Sequence, residues 1–169
     1  MKRIRGTKSR TLGLGMLMAT LLFGCAVAKA DVVLDWNVIA VNTAIANGQN
    51  PFAQARSAAI VQLAVFESVN AITGEYHPYL GTIVAPPSAS ADAAAIEAAY
   101  RVLSTYFPGS SWTLDADRAN SLVSIPDGQA KIDGIATGEA AALAMIALRT
   151  NDGSSPPQFN IPGDRKSVV

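Results

Sequence analysis

Along residues 52–70 the positions Phe52, Ala55, Ala59, Leu63, Phe66 and Asn70 recur at three- and four-residue steps, with Ile60 and Val69 widening the apolar face. That spacing follows the turn of an α-helix and rules out a half-buried strand, which alternates at every second residue. The same period returns in alanine-rich stretches further along, and alternating β-branched runs are scarce. The chain therefore reads as all-α, with about five helices. The width of the 52–70 face suggests a helix buried on most sides, as in the core of a larger bundle.

Punctuation between the periodic stretches sets the boundaries. A first helix is expected over residues 35–46, with Trp36, Ile39, Thr43 and Ala46 on one stripe and Asn47-Gly48 ending it. Asn50-Pro51 is a start signal, an Asn cap followed by proline at the first helical position. The second helix then runs to about Ile72. Residues 81–90, with Pro86-Pro87, have no period and read as a loop. A third helix starts near Ser90 or Asp92, carries Ile96, Tyr100, Leu103 and Phe107, and stops at Pro108-Gly109. A short fourth covers residues 114–123, closed by Pro126-Asp127-Gly128. The fifth covers residues 129–150 through Ile132, Ile135, Ala136, Glu139, Leu143, Ile146 and Ala147. Gly134 and Gly138, four apart on it, invite another helix to approach closely, although each glycine costs about 1 kcal/mol relative to alanine. Asn151-Asp152-Gly153 ends this helix and Ser154-Ser155-Pro156-Pro157 reads as a connector.

Charge divides the chain. Six of the 13 basic residues lie in the first 30 positions, which hold no acid, so seven basic face 13 acidic residues from position 31 onward, a formal charge of −6. An acidic body excludes nucleic acid as a partner, since phosphate neutralisation needs clustered Lys and Arg. The basic start leads into an apolar segment at 12–23 and then Ala28-Lys29-Ala30, the pattern of a secretory signal peptide over residues 1–30, with cleavage between Ala30 and Asp31. The apolar segment is shorter than the roughly 20 residues a membrane span needs. Leu22-Phe23-Gly24-Cys25 offers a second reading, a lipoprotein box that would leave Cys25 diacylated and the product anchored. The expected product is exported, periplasmic or secreted, with no membrane span once the leader is removed. Beyond Cys25 there is no cysteine, hence no disulfide, thiolate nucleophile or cysteine metal site.

Several blocks, in order, carry a resemblance: Asp35-Trp36-Asn37, Asn50-Pro51, Arg56-Ser57-Ala58-Ala59, Glu67-Ser68-Val69-Asn70-Ala71-Ile72 and Tyr76-His77-Pro78-Tyr79-Leu80. Ala99-Tyr100-Arg101-Val102-Leu103, Tyr106-Phe107-Pro108, Ser124-Ile125-Pro126-Asp127-Gly128 and Lys131 continue it. Gly134-Ile135-Ala136, Gly138-Glu139-Ala140-Ala141 and Arg149-Thr150-Asn151-Asp152-Gly153 complete it. Over about 36–160 the chain resembles the N-terminal part of bacterial vanadium-dependent haloperoxidases, which share a superfamily with type 2 phosphatidic acid phosphatases (PAP2). The resemblance implies a larger helical bundle in which a vanadate centre oxidises halide with peroxide. An alternative within the superfamily is an acid phosphatase working through a phosphohistidine. In that family the oxyanion is held by K-x6-R-P, P-S-G-H and S-R-x5-H motifs, because a multiply charged tetrahedral anion needs several fixed cationic donors. None of these motifs occurs here, and the chain has one histidine.

Residues 31–163 are therefore expected to be the N-terminal scaffold of the parent domain, without a catalytic, cofactor-binding or metal-binding residue. Residues 164–169, Asp164-Arg165-Lys166-Ser167-Val168-Val169, read as the in-frame translation of a sequencing adapter. Vanadate is the cofactor implied for the parent, and its remaining catalytic helices are the implied partner, with oligomerisation open. A third reading is a non-catalytic export domain that binds a protein partner.

Individual residues have structural expectations. His77, in Tyr76-His77-Pro78-Tyr79, marks a helix exit. Glu67 and Glu75 are expected to be solvated or capping, with Glu67 partly buried. Arg56 should pair with an acid elsewhere in the bundle. Asp115 and Asp117 with Asn120 lack Ca²⁺-loop spacing and read as a solvated first helical turn. Trp36, Trp112, Tyr100 and Phe107 are expected to pack. The second and fifth helices look apolar on more than one face, so the isolated body should aggregate.

Overall fold

The computed structural model describes residues 31–154. The leader with Ala30 and Cys25, the connector beyond Ser154 and the 164–169 tail lie outside the described residues. Five α-helices follow one another: α1 (Val32–Ala46), α2 (Pro51–Thr73), α3 (Ala91–Tyr106), α4 (Ser111–Val123) and α5 (Gln129–Arg149). A 3₁₀ turn at Pro108–Ser110 leads into α4, and no strand occurs among the described residues.

Side-chain caps explain the starts. Asn50 Oδ1 accepts from Phe52 N and Ala53 N at 3.1 and 3.0 Å, and Pro51 stands where the missing N–H costs nothing. Ser90 Oγ caps α3 by accepting from Ala93 N at 3.2 Å. Asp31 caps α1, its carboxylate accepting from Val33 N at 2.9 Å, so α1 begins three residues earlier than expected. α4 also begins three residues early. Trp112 then stands about 200° around α4 from the buried Leu114, and it is 87% exposed instead of packed.

α3 touches every other helix. Seven consecutive residues from Ala93 to Ala99 are buried, which no one-sided stripe produces. The helix enclosed on all sides is thus α3, where the sequence pointed to α2. The first nine residues of α2 include no buried side chain, and Phe52 is 89% exposed; its inward face begins at Ile60 and runs through Val61, Ala64, Val65 and Ser68.

Which face of α5 points inward also differs from expectation. Gly134, Thr137, Gly138, Ala141, Ala142 and Met145 face the interior, while Ile132 and Leu143 face outward. The cause is close contact with α3. A Cβ on Gly134 would lie 2.9 Å from Ala93 Cβ and tighter still on Ser90 O. One on Gly138 would lie 2.8 Å from Glu97 Cβ and 2.9 Å from Ala98 N. At that separation only small residues fit between the helices, so bulky ones are displaced to the outside. The close approach expected from the two glycines is present.

On α1 the buried stripe is Val32, Trp36, Ala40 and Ala44. Ile39 and Thr43 are half-buried and Ala46 is exposed. Trp36 Nε1 donates to Ser121 Oγ at 3.2 Å, tying α1 to α4 and satisfying the buried indole.

Candidate functional site

The C-terminal third of α2 carries three buried polar residues, Glu67, Ser68 and Asn70. Ser68 bonds back to Val65 O within the helix, and Glu67 and Asn70 act on the loop that follows. Gly74 ends α2 with φ +66°, a left-handed position suited to glycine, and turns the chain back. Asn70 Nδ2 donates to Tyr76 O at 2.8 Å, and its Oδ1 accepts from Tyr76 N at 2.8 Å. Glu67, 2% exposed, accepts from Tyr79 N at 2.8 Å, Leu80 N at 3.1 Å and Gly81 N at 3.0 Å. Three backbone donors satisfy the buried carboxylate, as burial of a charge requires. The expected solvated or capping role for Glu67 does not hold: the carboxylate is buried and caps no helix end, because the loop at 79–81 folds back onto it. Glu75 lies beyond the end of α2, exposed in the loop.

This pinned loop forms one wall of a cleft of about 290 Å³. Val33 of α1 and Val65, Phe66 and Val69 of α2 supply its apolar surface; Gln62, Thr73, Glu75 and Tyr76 stand around it. The Phe66 and Tyr76 rings lie 6.4 Å apart between centroids, tilted by 49°. Gln62 Nε2 donates to Asn37 Oδ1 at 3.2 Å, bridging α2 to α1 beside the cleft. His77 is exposed in the loop next to Tyr76, in keeping with a helix exit.

A second polar cluster joins α3, α4 and α5. Arg118 Nε donates to the buried Glu97 at 2.6 Å, and the Arg118 guanidinium lies 5.1 Å from the Tyr100 ring centroid. Tyr100 Oη donates to Asp115 at 2.6 Å, so Asp115 is engaged by α3 and lies outside the first turn of α4. Arg101 pairs with Glu139 across to α5. Burial pushes the Glu97 carboxyl up from its ordinary value against the opposing pull of Arg118. The hydrogen bond to Asp115 raises the Tyr100 hydroxyl, and the one to Glu139 raises Arg101. These pairs act as a clamp between helices, with Arg101 Nε left buried without a hydrogen-bond partner. Sequence reasoning missed Glu97, although a charged residue inside the alanine run 93–99 was a signal that it needed a partner.

The cations of the described residues are engaged pairwise. Arg56 meets Asp152 at 2.8 Å, the partnership expected of it, and Lys131 meets Asp127 at 2.9 Å. Arg149 donates to Tyr79 Oη at 2.8 Å. Arg56 and Arg149 line one pocket, but Asp152 lines it with them and already holds Arg56. The described residues therefore do not fit a vanadate or phosphate group, which needs several free cationic donors. Among the described residues no group of three or more His, Cys, Asp or Glu is placed to hold a metal ion. No helix among them is long and apolar enough to cross a membrane. No family model, curated protein or solved structure matches the chain.

Proposed function

We propose that this chain is the N-terminal scaffold of an exported enzyme of the vanadium-dependent haloperoxidase and PAP2 phosphatase kind, supplying packing surface and no catalytic group. The observation that carries the reading is the outer face of α1. Leu34, Val38, Val41 and Ile45 follow at steps of four, three and four and are all exposed, Leu34 at 64% and Ile45 at 54%. That spacing makes one continuous apolar stripe suited to another helix. Ile132, Leu143 and Leu148 leave bulky apolar surface outside α5 as well. Paired cations and a single loop histidine agree with a scaffold role. Vanadate would be held by residues of the parent outside 31–154, and no reaction step is assigned to this segment.

The test is to sequence the genomic locus past codon 163 and assay the encoded protein. P-S-G-H and S-R-x5-H motifs, with halide oxidation in the presence of vanadate, are the expected result. Phosphatase turnover without vanadate would move the assignment to the PAP2 alternative. A stop codon at once, or several hundred codons without these motifs, would overturn the reading in favour of a partner-binding export domain. Tight stoichiometric vanadate binding by this chain alone would also overturn it.

A further inference from the structure

The cleft beside Tyr76 has a chemistry that a scaffold role does not use. Its body is apolar, from Val33, Val65, Phe66 and Val69, and among the described residues Glu75 is the only charged one lining it. The cations among the described residues are engaged elsewhere: Arg56, Arg101, Arg118 and Lys131 each meet another acid, and Arg149 meets Tyr79. Glu75 is therefore without an ion pair among the described residues. It stands between left-handed Gly74 and Tyr76, whose backbone Asn70 holds from both sides. Carboxylate and aromatic wall are thus presented by a loop fixed before any ligand arrives, which lowers the ordering cost of binding. An acidic body, −6 from residue 31 onward, further favours a cation and disfavours an anion.

We propose that this cleft binds a small primary amine, its ammonium on Glu75 and its apolar body against Phe66, Val65 and Val69. The tilted Phe66 and Tyr76 rings add an attraction available to a cation and not to a carboxylate. A cleft of about 290 Å³ is at the small end of ligand sites, roughly 300–1,000 Å³, and so suits a small ligand.

The probe is hexylammonium, titrated against the full isotope-labelled chain by NMR, with hexanol and hexanoate as isosteric controls. Saturable shifts confined to Val33, Val65, Val69 and residues 73–76 are expected. Hexanol should bind about tenfold more weakly, as the loss of one ion pair in a partly wet cleft implies, and hexanoate should not saturate. Glu75→Gln, in an exposed loop position that leaves the fold unaffected, should bring hexylammonium down to the hexanol affinity. Equal binding of all three probes, an unaffected Glu75→Gln variant, or no saturable shift at these residues would overturn the proposal. This inference and the scaffold reading fail separately, since the first is read from amine binding and the second from the motifs beyond codon 163.

Discussion

The seam between α3 and α5 and the outer face of α1 are built on opposite principles. In the seam Gly134 lies against Ser90 and Ala93, and Gly138 against Ala94, Glu97 and Ala98, with no room at either glycine for one more carbon. On the outer face of α1, four large apolar residues remain exposed. Large side chains are normally read as the inward ones, because burying each gains about 1.5–3 kcal/mol. Here backbone proximity decides instead. Once two helices approach as closely as α3 and α5, dispersion along the whole seam outweighs the gain from a few bulky residues, which are left for some other contact.

The largest expected effect tests the seam. Gly138→Ala should destabilise by about 3 kcal/mol or prevent folding, because the added methyl meets Ala94 O and the α3 backbone near Ala98 and not a movable side-chain tip. The better helix propensity of alanine recovers only about 1 kcal/mol of that. A denaturant melt measures it, and a neutral or stabilised variant would show that the helices are not so close.

Glu67→Ala comes next. It strands three loop N–H groups and should cost about 2–3 kcal/mol, with faster proteolysis at residues 74–81 as a local readout. Cleavage at the wild-type rate would mean that the loop is held by something else.

The α3–α4 clamp gives a pH signature. Because the Glu97 carboxyl is raised in the folded state, that state binds the proton more tightly than the unfolded chain does. The contribution of Glu97 is therefore greatest below the ordinary carboxylate range and declines as pH rises through the raised value. Wild type should lose stability relative to Glu97→Gln as pH rises across that window; a difference independent of pH would contradict the burial argument. Asp152 behaves oppositely. Its hydrogen bonds to Arg56 and Ser154 hold its carboxyl at about 2. The contribution it makes is present above its unfolded value near 4 and is lost as pH falls toward 2. Asp152→Asn should remove that acid-limb dependence in a pH-resolved melt.

The smallest change in stability is expected on α1. Val38→Lys with Ile45→Lys should alter the melt by no more than about 0.5 kcal/mol, since both positions are exposed. The same pair should reduce self-association in sedimentation velocity. A large destabilisation would mean that this face is already covered.

The sequence carried several element boundaries through a local chemical reason, Asn50-Pro51, Ser90, Asn47-Gly48 and the Pro126-Asp127-Gly128 stop, whereas the Asp31 cap that starts α1 three residues early went unread. The Gly134–Gly138 spacing also announced a close helix contact. Inward faces were not legible. Phe52, Ile132, Leu143 and Trp112 look like core by size, and only the arrangement of the helices around α3 turns them outward. The site was half legible. Glu67 stood out as partly buried among apolar neighbours, but its three donors lie 12 to 14 residues downstream in a loop without periodicity. Glu97 and Arg118, 21 residues apart on different helices, are a pair that only the packing of α4 on α3 creates.

Thiol labelling in a Cys25→Ser background tests most directly whether α5 turns its small face inward and α1 leaves a large-residue stripe outside. Single cysteines at Val38 and Ala142 are compared by their rates of reaction with a maleimide. The Val38→Cys thiol should react nearly as fast as a free thiol, and the Ala142→Cys thiol roughly a thousandfold more slowly, limited by opening of the fold. Comparable rates at the two positions, or the reverse order, would contradict the account.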